Sequence, residues 1–86
     1  MSHTVVAEIQ KLIEEIQRLG TKNADGLWVV KFGVIVRDDR CADIFEGLVG
    51  TLRAAKKRGV VEYAGEMLLQ GMSDQVDIVL KKLTVE

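Results

Sequence analysis

The stretch DDRCADIFEGLVGTLRAAKKRG, residues 38–59, decides the fold, because it predicts a helix with recognisable signals at both ends. Asp38 and Asp39 are candidate N-caps, and Asp43 adds negative charge where the helix dipole favours it. Basic residues fill the last turn before Gly59, which is typical of a C′ position. We therefore predict one long helix at the centre of the chain.

Apolar residues recur at helical spacing along this stretch and would fill one arc of the helix surface. The arc is formed by Cys41, Ile44, Phe45, Leu48, Val49, Leu52 and Ala55. A helix with such an arc must bury it, so we expect this face to lie against the core. Cys41 is predicted to be a buried structural thiol, because reactive cysteines need exposure and a nearby base.

Small residues form a second stripe on the same predicted helix, at Gly47, Gly50, Thr51 and Ala54. A glycine inside a helix costs about 0.5–1 kcal/mol relative to alanine, so two of them call for compensation. Two interpretations remain open. The stripe either allows close approach of another helix in the domain or forms a flat contact surface for a partner.

Length and composition indicate one domain spanning residues 1–86, with a mostly aliphatic core. The net charge of −1 gives no global attraction to nucleic acid or anionic membranes. One cysteine cannot form an internal disulfide, which is typical of a reducing compartment. No apolar stretch reaches the roughly 18 residues of a membrane span. We therefore expect a cytoplasmic protein.

The N-terminal part predicts a helix over residues 4–19 that ends at Gly20. Its expected buried face consists of Val6, Ile9, Leu12, Ile13, Ile16 and Leu19. Glu14 and Arg18 have the spacing of a favourable i, i+4 ion pair. Glu15 is expected to lie in solvent beside them.

Residues 27–37, LWVVKFGVIVR, favour a single long strand by β-propensity. Gly33 interrupts this run, so a strand ending near Phe32 and followed by a short helical turn is the alternative. The turn-rich residues 21–26 come before it, and Asp25-Gly26 is a tight-turn signal.

The C-terminal part predicts a β-hairpin. Its first strand alternates Val61 and Tyr63, breaks at Ala64-Gly65 and resumes at Met67 and Leu69; its second alternates Val76, Ile78 and Leu80. The order helix, strand, short helix, long helix and hairpin is that of a winged-helix domain. We therefore predict the α+β class with a small winged-helix architecture.

The residues offer little for catalysis or metal binding. His3 is the only histidine and lies near the terminus, so a histidine base or zinc site is not expected. Of the paired carboxylates, Glu14-Glu15 are interpreted as solvated and Asp38-Asp39 as a cap. We predict a non-enzyme without cofactor or metal.

Winged helices often bind DNA, but here the residues argue against it. Readout would place the start of the central helix in the major groove. That end carries acidic residues, Asp38, Asp39, Asp43 and Glu46, which phosphates repel. Nucleic-acid binding therefore remains only an alternative.

Four segments resemble the Costars family: RLGTKNADG (18–26), VKFGVIVRDDRCADIFEGLVGTLRAAKKRG (30–59), YAGEMLLQG (63–71) and DQVDIVL (74–80). These small eukaryotic proteins are similar to the C-terminal domain of the striated-muscle activator of Rho signalling, an actin-binding protein. The resemblance implies a winged-helix fold in which FGVIV, residues 32–36, is the short second helix. It also implies binding to actin or actin-regulating proteins, a role in cell motility, and association with the cytoskeleton. It supplies no catalytic residues and no contact motif.

Two surfaces of the predicted central helix are therefore candidates for partner binding. One is the basic group Arg53, Lys56, Lys57 and Arg58, which would suit an acidic partner such as actin. A solvated helix end is the alternative explanation for these charges. The other is the small-residue stripe Gly47, Gly50, Thr51 and Ala54, and the hairpin loop with Met72 is a third. We expect a monomer that binds actin or an actin regulator, not nucleic acid or membrane; a docking subunit of a larger assembly is a further alternative.

Overall fold

The computed structural model describes residues 2–65, 67–69 and 71–85. Within them the chain forms four helices and four strands. In chain order these are α1 (Ser2–Leu19), β1 (Thr21–Lys22), β2 (Trp28–Lys31), α2 (Phe32–Val36), α3 (Asp39–Ile44), α4 (Leu48–Lys57), β3 (Val61–Glu62) and β4 (Asp77–Leu80). The presence of both helices and an antiparallel sheet confirms the predicted α+β class.

The strands form one antiparallel sheet in the order β1-β2-β4-β3. Val29 lies opposite Val79 between β2 and β4, and Val61 lies opposite Leu80 between β3 and β4. Alternate side chains of the sheet enter the core, among them Val30, Val61, Ile78 and Leu80. α1 packs against both β2 and α4, so the helices cover this face.

α1 buries Ile9, Leu12, Ile13 and Ile16 almost completely, as predicted. Val6 is 39% exposed, and its assignment to the buried face was wrong. Val5 packs against the core instead, because the positions 5, 9, 12 and 16 follow the helical repeat through the buried side of α1.

Gly20 is required where α1 meets the sheet. A Cβ at this position would lie 2.5 Å from the carbonyl oxygen of Val29 and 2.7 Å from that of Ile16. The backbone of Gly20 is not left-handed. The residue is needed because β2 approaches closely, and not because of its own conformational freedom.

The single long strand over residues 27–37 is not formed. β2 ends at Lys31 and α2 follows at once, as the family resemblance implies. The backbone N–H of Phe32 donates to the carbonyl of Val76 at 2.9 Å, and that of Gly33 donates to the carbonyl of Asp74 at 3.0 Å. These bonds hold the first turn of α2 against the segment before β4 and override the β-propensity of its side chains.

The predicted central helix is divided into α3 and α4, so its continuity was wrong. Asp38 is the N-cap of α3, as predicted, but Phe45 leaves α3 in an extended conformation. Gly47 is the N-cap of α4, and its carbonyl accepts the backbone N–H of Thr51 at 3.0 Å. Glycine is unfavourable inside a helix and tolerated at a cap, and the break also buries the ring of Phe45.

The hairpin is present, but its first strand is shorter than predicted. β3 covers only Val61–Glu62, and Gly65 turns the chain with a φ of +81°. Beyond that turn the alternation is reversed, so that Leu68 is buried while Met67 and Leu69 are exposed. The prediction that the alternation of the strand resumes at Met67 and Leu69 was therefore wrong.

The core side of α4 can be tested by truncating two leucines. Leu52 has no exposed surface, so Leu52→Ala should lower the free energy of unfolding by about 2–5 kcal/mol. Leu48 is only half-buried, and Leu48→Ala should cost clearly less. Urea unfolding of both variants measures the difference, and equal losses would contradict this placement of α4.

Candidate functional site

A buried ionic cluster joins α1 to the start of α3. Glu15 is 2% exposed, and its carboxylate accepts the Arg18 Nε–H at 2.6 Å and pairs with Arg40 Nε at 3.2 Å. Arg18 also donates to Asp38. The prediction of a solvated Glu15 and of a Glu14–Arg18 pair was wrong, because Arg18 pairs with Glu15 and Asp38, and Arg40 of α3 is a second partner for the buried Glu15 carboxylate.

Among the described residues, one group of possible metal ligands converges, and it lies in this cluster. Ligand atoms of Glu15, Asp38 and Cys41 lie within 4.8 Å of one another. The guanidinium of Arg18 already binds both carboxylates, and the backbone N–H of Cys41 donates to Asp38 at 3.0 Å. These contacts give the cluster a structural role.

Cys41 is buried, as predicted. Burial, with the adjacent Asp38 carboxylate, raises the pKa of its thiol to about 12. The thiol is therefore protonated at neutral pH and unsuited to nucleophilic attack.

The four basic residues predicted as a contact surface divide into two pairs, and the first pair serves the fold. Lys56 Nζ donates to the carbonyls of Tyr63 and Gly65, both at 2.8 Å, and lies 4.3 Å from the centre of the Tyr63 ring. Arg58 is the C-cap of α4, and its Nη1 donates to the carbonyl of Ala54 at 3.3 Å. Lys56 thus stabilises the hairpin, and Arg58 stabilises the end of α4.

Arg53 and Lys57 form the second pair, and their side chains are not bonded to other groups of the residues that the structure describes. Among the lysines and arginines in the described part of the chain, only these two and Lys11 make no hydrogen bond, ion pair or ring contact. They lie one turn apart on α4 and, with Lys56 and Tyr63, line an open cleft of about 250 Å³. We call this the cationic cleft. Burial raises the pKa of the Tyr63 phenol, and the positive charge of Arg53 opposes that effect.

The small-residue stripe does not lie on one surface. A Cβ at Gly47 or Gly50 would meet nothing within 4 Å, so close approach of another helix does not explain either glycine. Thr51 is buried, and its hydroxyl donates to Glu8 at 2.8 Å. Gly50 and Ala54 instead line a shallow groove, of about 370 Å³, that shares Arg53 and Lys57 with the cationic cleft.

Sequence reasoning missed two features beside this cleft. It did not single out Tyr63 as a lining residue, although the alternation of the hairpin placed its ring on the core side. It named Met72 as a candidate contact residue but interpreted Met67 and Leu69, which are 71% and 44% exposed, as part of an alternating strand. Gly65 was the available signal in the sequence. Its backbone is left-handed in the structure, and the turn there reverses which side chains of the following residues face outward.

The fold and this cleft define a small α+β domain whose candidate site is an exposed cationic surface, which suits binding to another macromolecule. None of its described helices combines the length and apolar character needed to cross a membrane. The chain belongs to the Costars family, whose model matches residues 4–81. The resemblance noted in the sequence is thereby confirmed, and no catalytic family is indicated.

Relatives with similar sequences cover most of the chain. Mouse "Costars family protein ABRACL" is 67% identical over 73 residues, which are 85% of this chain and 90% of that protein. A Picea sitchensis Costars family protein is 62% identical over 82 residues, covering 95% and 86%. The solution structure of human HSPC280 protein has a TM-score of 0.83 at 60% identity and covers 91% of this chain and 92% of that one.

Two carboxyls give the stability a predictable pH dependence. The backbone N–H of Cys41 and, to a smaller extent, the guanidinium of Arg18 lower the pKa of the Asp38 carboxyl. Arg37 and, to a smaller extent, the backbone N–H of Gly71 lower the pKa of the Asp74 carboxyl. A carboxyl with a lowered folded-state pKa stabilises the protein above its unfolded pKa, about 4, and this contribution is lost as pH falls through the folded value. The urea midpoint should therefore drop below about pH 4. An Asp38→Asn/Asp74→Asn variant should have a lower urea midpoint than the unchanged protein at pH 7, and its midpoint should fall less on acidification. An equal fall in both proteins would contradict the assignment of the pH dependence to these two carboxyls.

The open space around Gly50 predicts the effect of adding a methyl group. Gly50→Ala should raise the free energy of unfolding by up to about 1 kcal/mol, because alanine favours the helix and meets no neighbour. Gly20→Ala is the control and should be destabilising, because its Cβ would collide with backbone atoms. A loss of stability in Gly50→Ala, measured by thermal unfolding, would show a hidden contact.

Proposed function

We propose that this Costars protein is a non-enzymatic, cytoplasmic binding domain that contacts an acidic surface of actin, or of an actin-regulating protein, through Arg53 and Lys57. Through this contact it modulates actin dynamics and cell motility. One observation carries the proposal. Two exposed cations lie together on α4 without intramolecular partners, although most other basic side chains in the described residues have one.

Family membership supports actin as the partner. The name ABRACL, carried by mammalian relatives, suggests an actin-related role. Exposed arginines and lysines attract acidic surfaces and accelerate encounter. The cationic cleft offers such charges in a fixed place, because α4 packs against α1 and Lys56 ties its last turn to the residues after β3.

The same proposal includes a winged-helix arrangement. The supporting observations are the order of helices and strands and the pairing of β4 with both β2 and β3, which makes β3–β4 the wing. β1 is an additional edge strand, and the long helix of the motif is represented by α3 and α4.

Nucleic-acid binding is disfavoured by the same geometry. The exposed residues that lead into α4 include Asp39, Asp43 and Glu46, and the free cations lie at its other end. A DNA-reading helix presents its N-terminal side chains to the groove, where these carboxylates would repel phosphates. Titration into labelled duplex DNA at low salt should show no saturable binding.

The proposal is tested by sedimenting the protein with actin filaments at several salt concentrations, with binding to monomeric actin measured alongside. Lys57→Gln should weaken binding about two- to fivefold, as loss of one peripheral ion pair does. Lys11→Gln is the matched control, because it removes one unpaired lysine charge from α1 and gives a variant with the same net charge as Lys57→Gln. Arg53→Gln/Lys57→Gln should weaken binding further and reduce its salt dependence.

Two results would contradict the proposal. Equal weakening by Lys57→Gln and Lys11→Gln would mean that only total charge matters. Absence of binding to both forms of actin would contradict direct contact with actin and leave an actin-regulating protein as the proposed partner. Lys56 and Arg58 are left unchanged in these variants, because their hydrogen bonds to backbone carbonyls would confound binding with stability.

A further inference from the structure

Exposed apolar side chains are concentrated in one loop. Six large apolar residues are exposed in the described part of the chain, and Val6, Val34 and Leu83 are dispersed over α1, α2 and the C-terminal segment. The other three, Met67, Leu69 and Met72, fall within six residues between β3 and β4 and are 71%, 44% and 83% exposed. Single exposed apolar residues are ordinary on a protein surface, whereas a group of them marks a contact site.

Hydrogen bonds build this loop and hold its apolar side chains outward. The carbonyl of Leu69 accepts the backbone N–H groups of Met72 at 3.0 Å and Ser73 at 2.7 Å, and the Leu69 N–H donates to the Ser73 hydroxyl at 2.9 Å. The N–H of Gly71 donates to Asp74 at 2.9 Å. A turn fixed in this way presents Leu69 and Met72 with little ordering left for binding.

The loop is also fastened to the rest of the domain. Leu68 is 4% exposed and joins the core between its two exposed neighbours. Asp74 pairs with Arg37 at 2.6 Å, and its carbonyl accepts the Gly33 N–H at 3.0 Å, so α2 supports the far side. The exposed residues therefore project from a supported turn.

The cationic cleft lies next to this loop. Lys56 Nζ binds the carbonyl of Gly65, and Met67 follows two residues later, a distance that the chain spans in at most about 7 Å. The apolar loop thus begins close to Lys56, which lines the cationic cleft together with Arg53 and Lys57. Methionine adapts to varied apolar partners, and arginine and methionine are both enriched at interfaces.

We propose that Met67, Leu69 and Met72 extend the cationic cleft into a docking surface for a partner segment that carries apolar side chains beside carboxylates. The charge of the cleft selects this occupant, because two unpaired cations favour an acidic segment over a neutral or basic one. A second copy of this chain would bring like charges together across a twofold axis. This inference rests on the proposed function and specifies which partner feature is bound.

Actin binding gives the first test. Met67→Ser/Leu69→Ser/Met72→Ser should bind actin about tenfold more weakly with an unchanged slope of affinity against salt, because it removes apolar contacts and no charge. Leu83→Ser is the control, because Leu83 is 59% exposed and lies beyond the other end of β4. The unfolding midpoint of each variant verifies that it is folded. Normal actin binding by the triple variant, with Arg53→Gln/Lys57→Gln still impaired, would overturn this inference and leave the proposed function intact.

A peptide titration tests the loop independently of actin. The probe is a synthetic peptide of leucines and glutamates, compared with peptides that have lysine for glutamate or serine for leucine. NMR methyl resonances of Met67 and Met72 should shift only with the leucine–glutamate peptide. Equal shifts with the lysine peptide, shifts at α4 alone, or no shifts would overturn the proposal. Concentration-dependent shifts without any peptide would identify a second copy as the occupant and overturn it too.

Discussion

The buried carboxylate of Glu15 is the interaction on which the arrangement of the helices depends. A charge in the core must be paired, and here Arg18 on α1 and Arg40 on α3 supply the pairing. Arg18 also binds Asp38, which caps α3. The position of α3 on α1 is thus set by charge neutralisation, and the short connection from α3 to Leu48 then sets where α4 and its free cations can lie.

Local signals predicted much of the fold, and long-range contacts account for the rest. The buried stripe of α1, the Asp38 cap and the β3–β4 hairpin follow from neighbouring residues. The division of the central helix depended on how Phe45 reaches the core, and the burial of Glu15 depended on an arginine 25 positions away. Helical periodicity contains neither fact, because both arise only when distant segments pack together.

The candidate site shows the same division. Sequence reasoning found four basic residues near one helix end but could not tell bonded from free side chains. Lys56 and Arg58 bind carbonyls of the fold, and only Arg53 and Lys57 remain for a partner. The family resemblance named actin without any contact residues. The contact surface that we propose is therefore built on the two basic side chains that the fold itself does not use.

The sheet has a consequence for behaviour at high concentration. Both of its edge strands, β1 and β3, are only two residues long. An exposed edge with many unpaired N–H and carbonyl groups acts as a template for strands of other chains, and a very short edge gives such strands few groups to bond. The longer strands β2 and β4 are paired on both sides in the interior of the sheet. The domain therefore exposes apolar residues in a hydrogen-bonded turn while keeping its backbone protected against edge-to-edge aggregation.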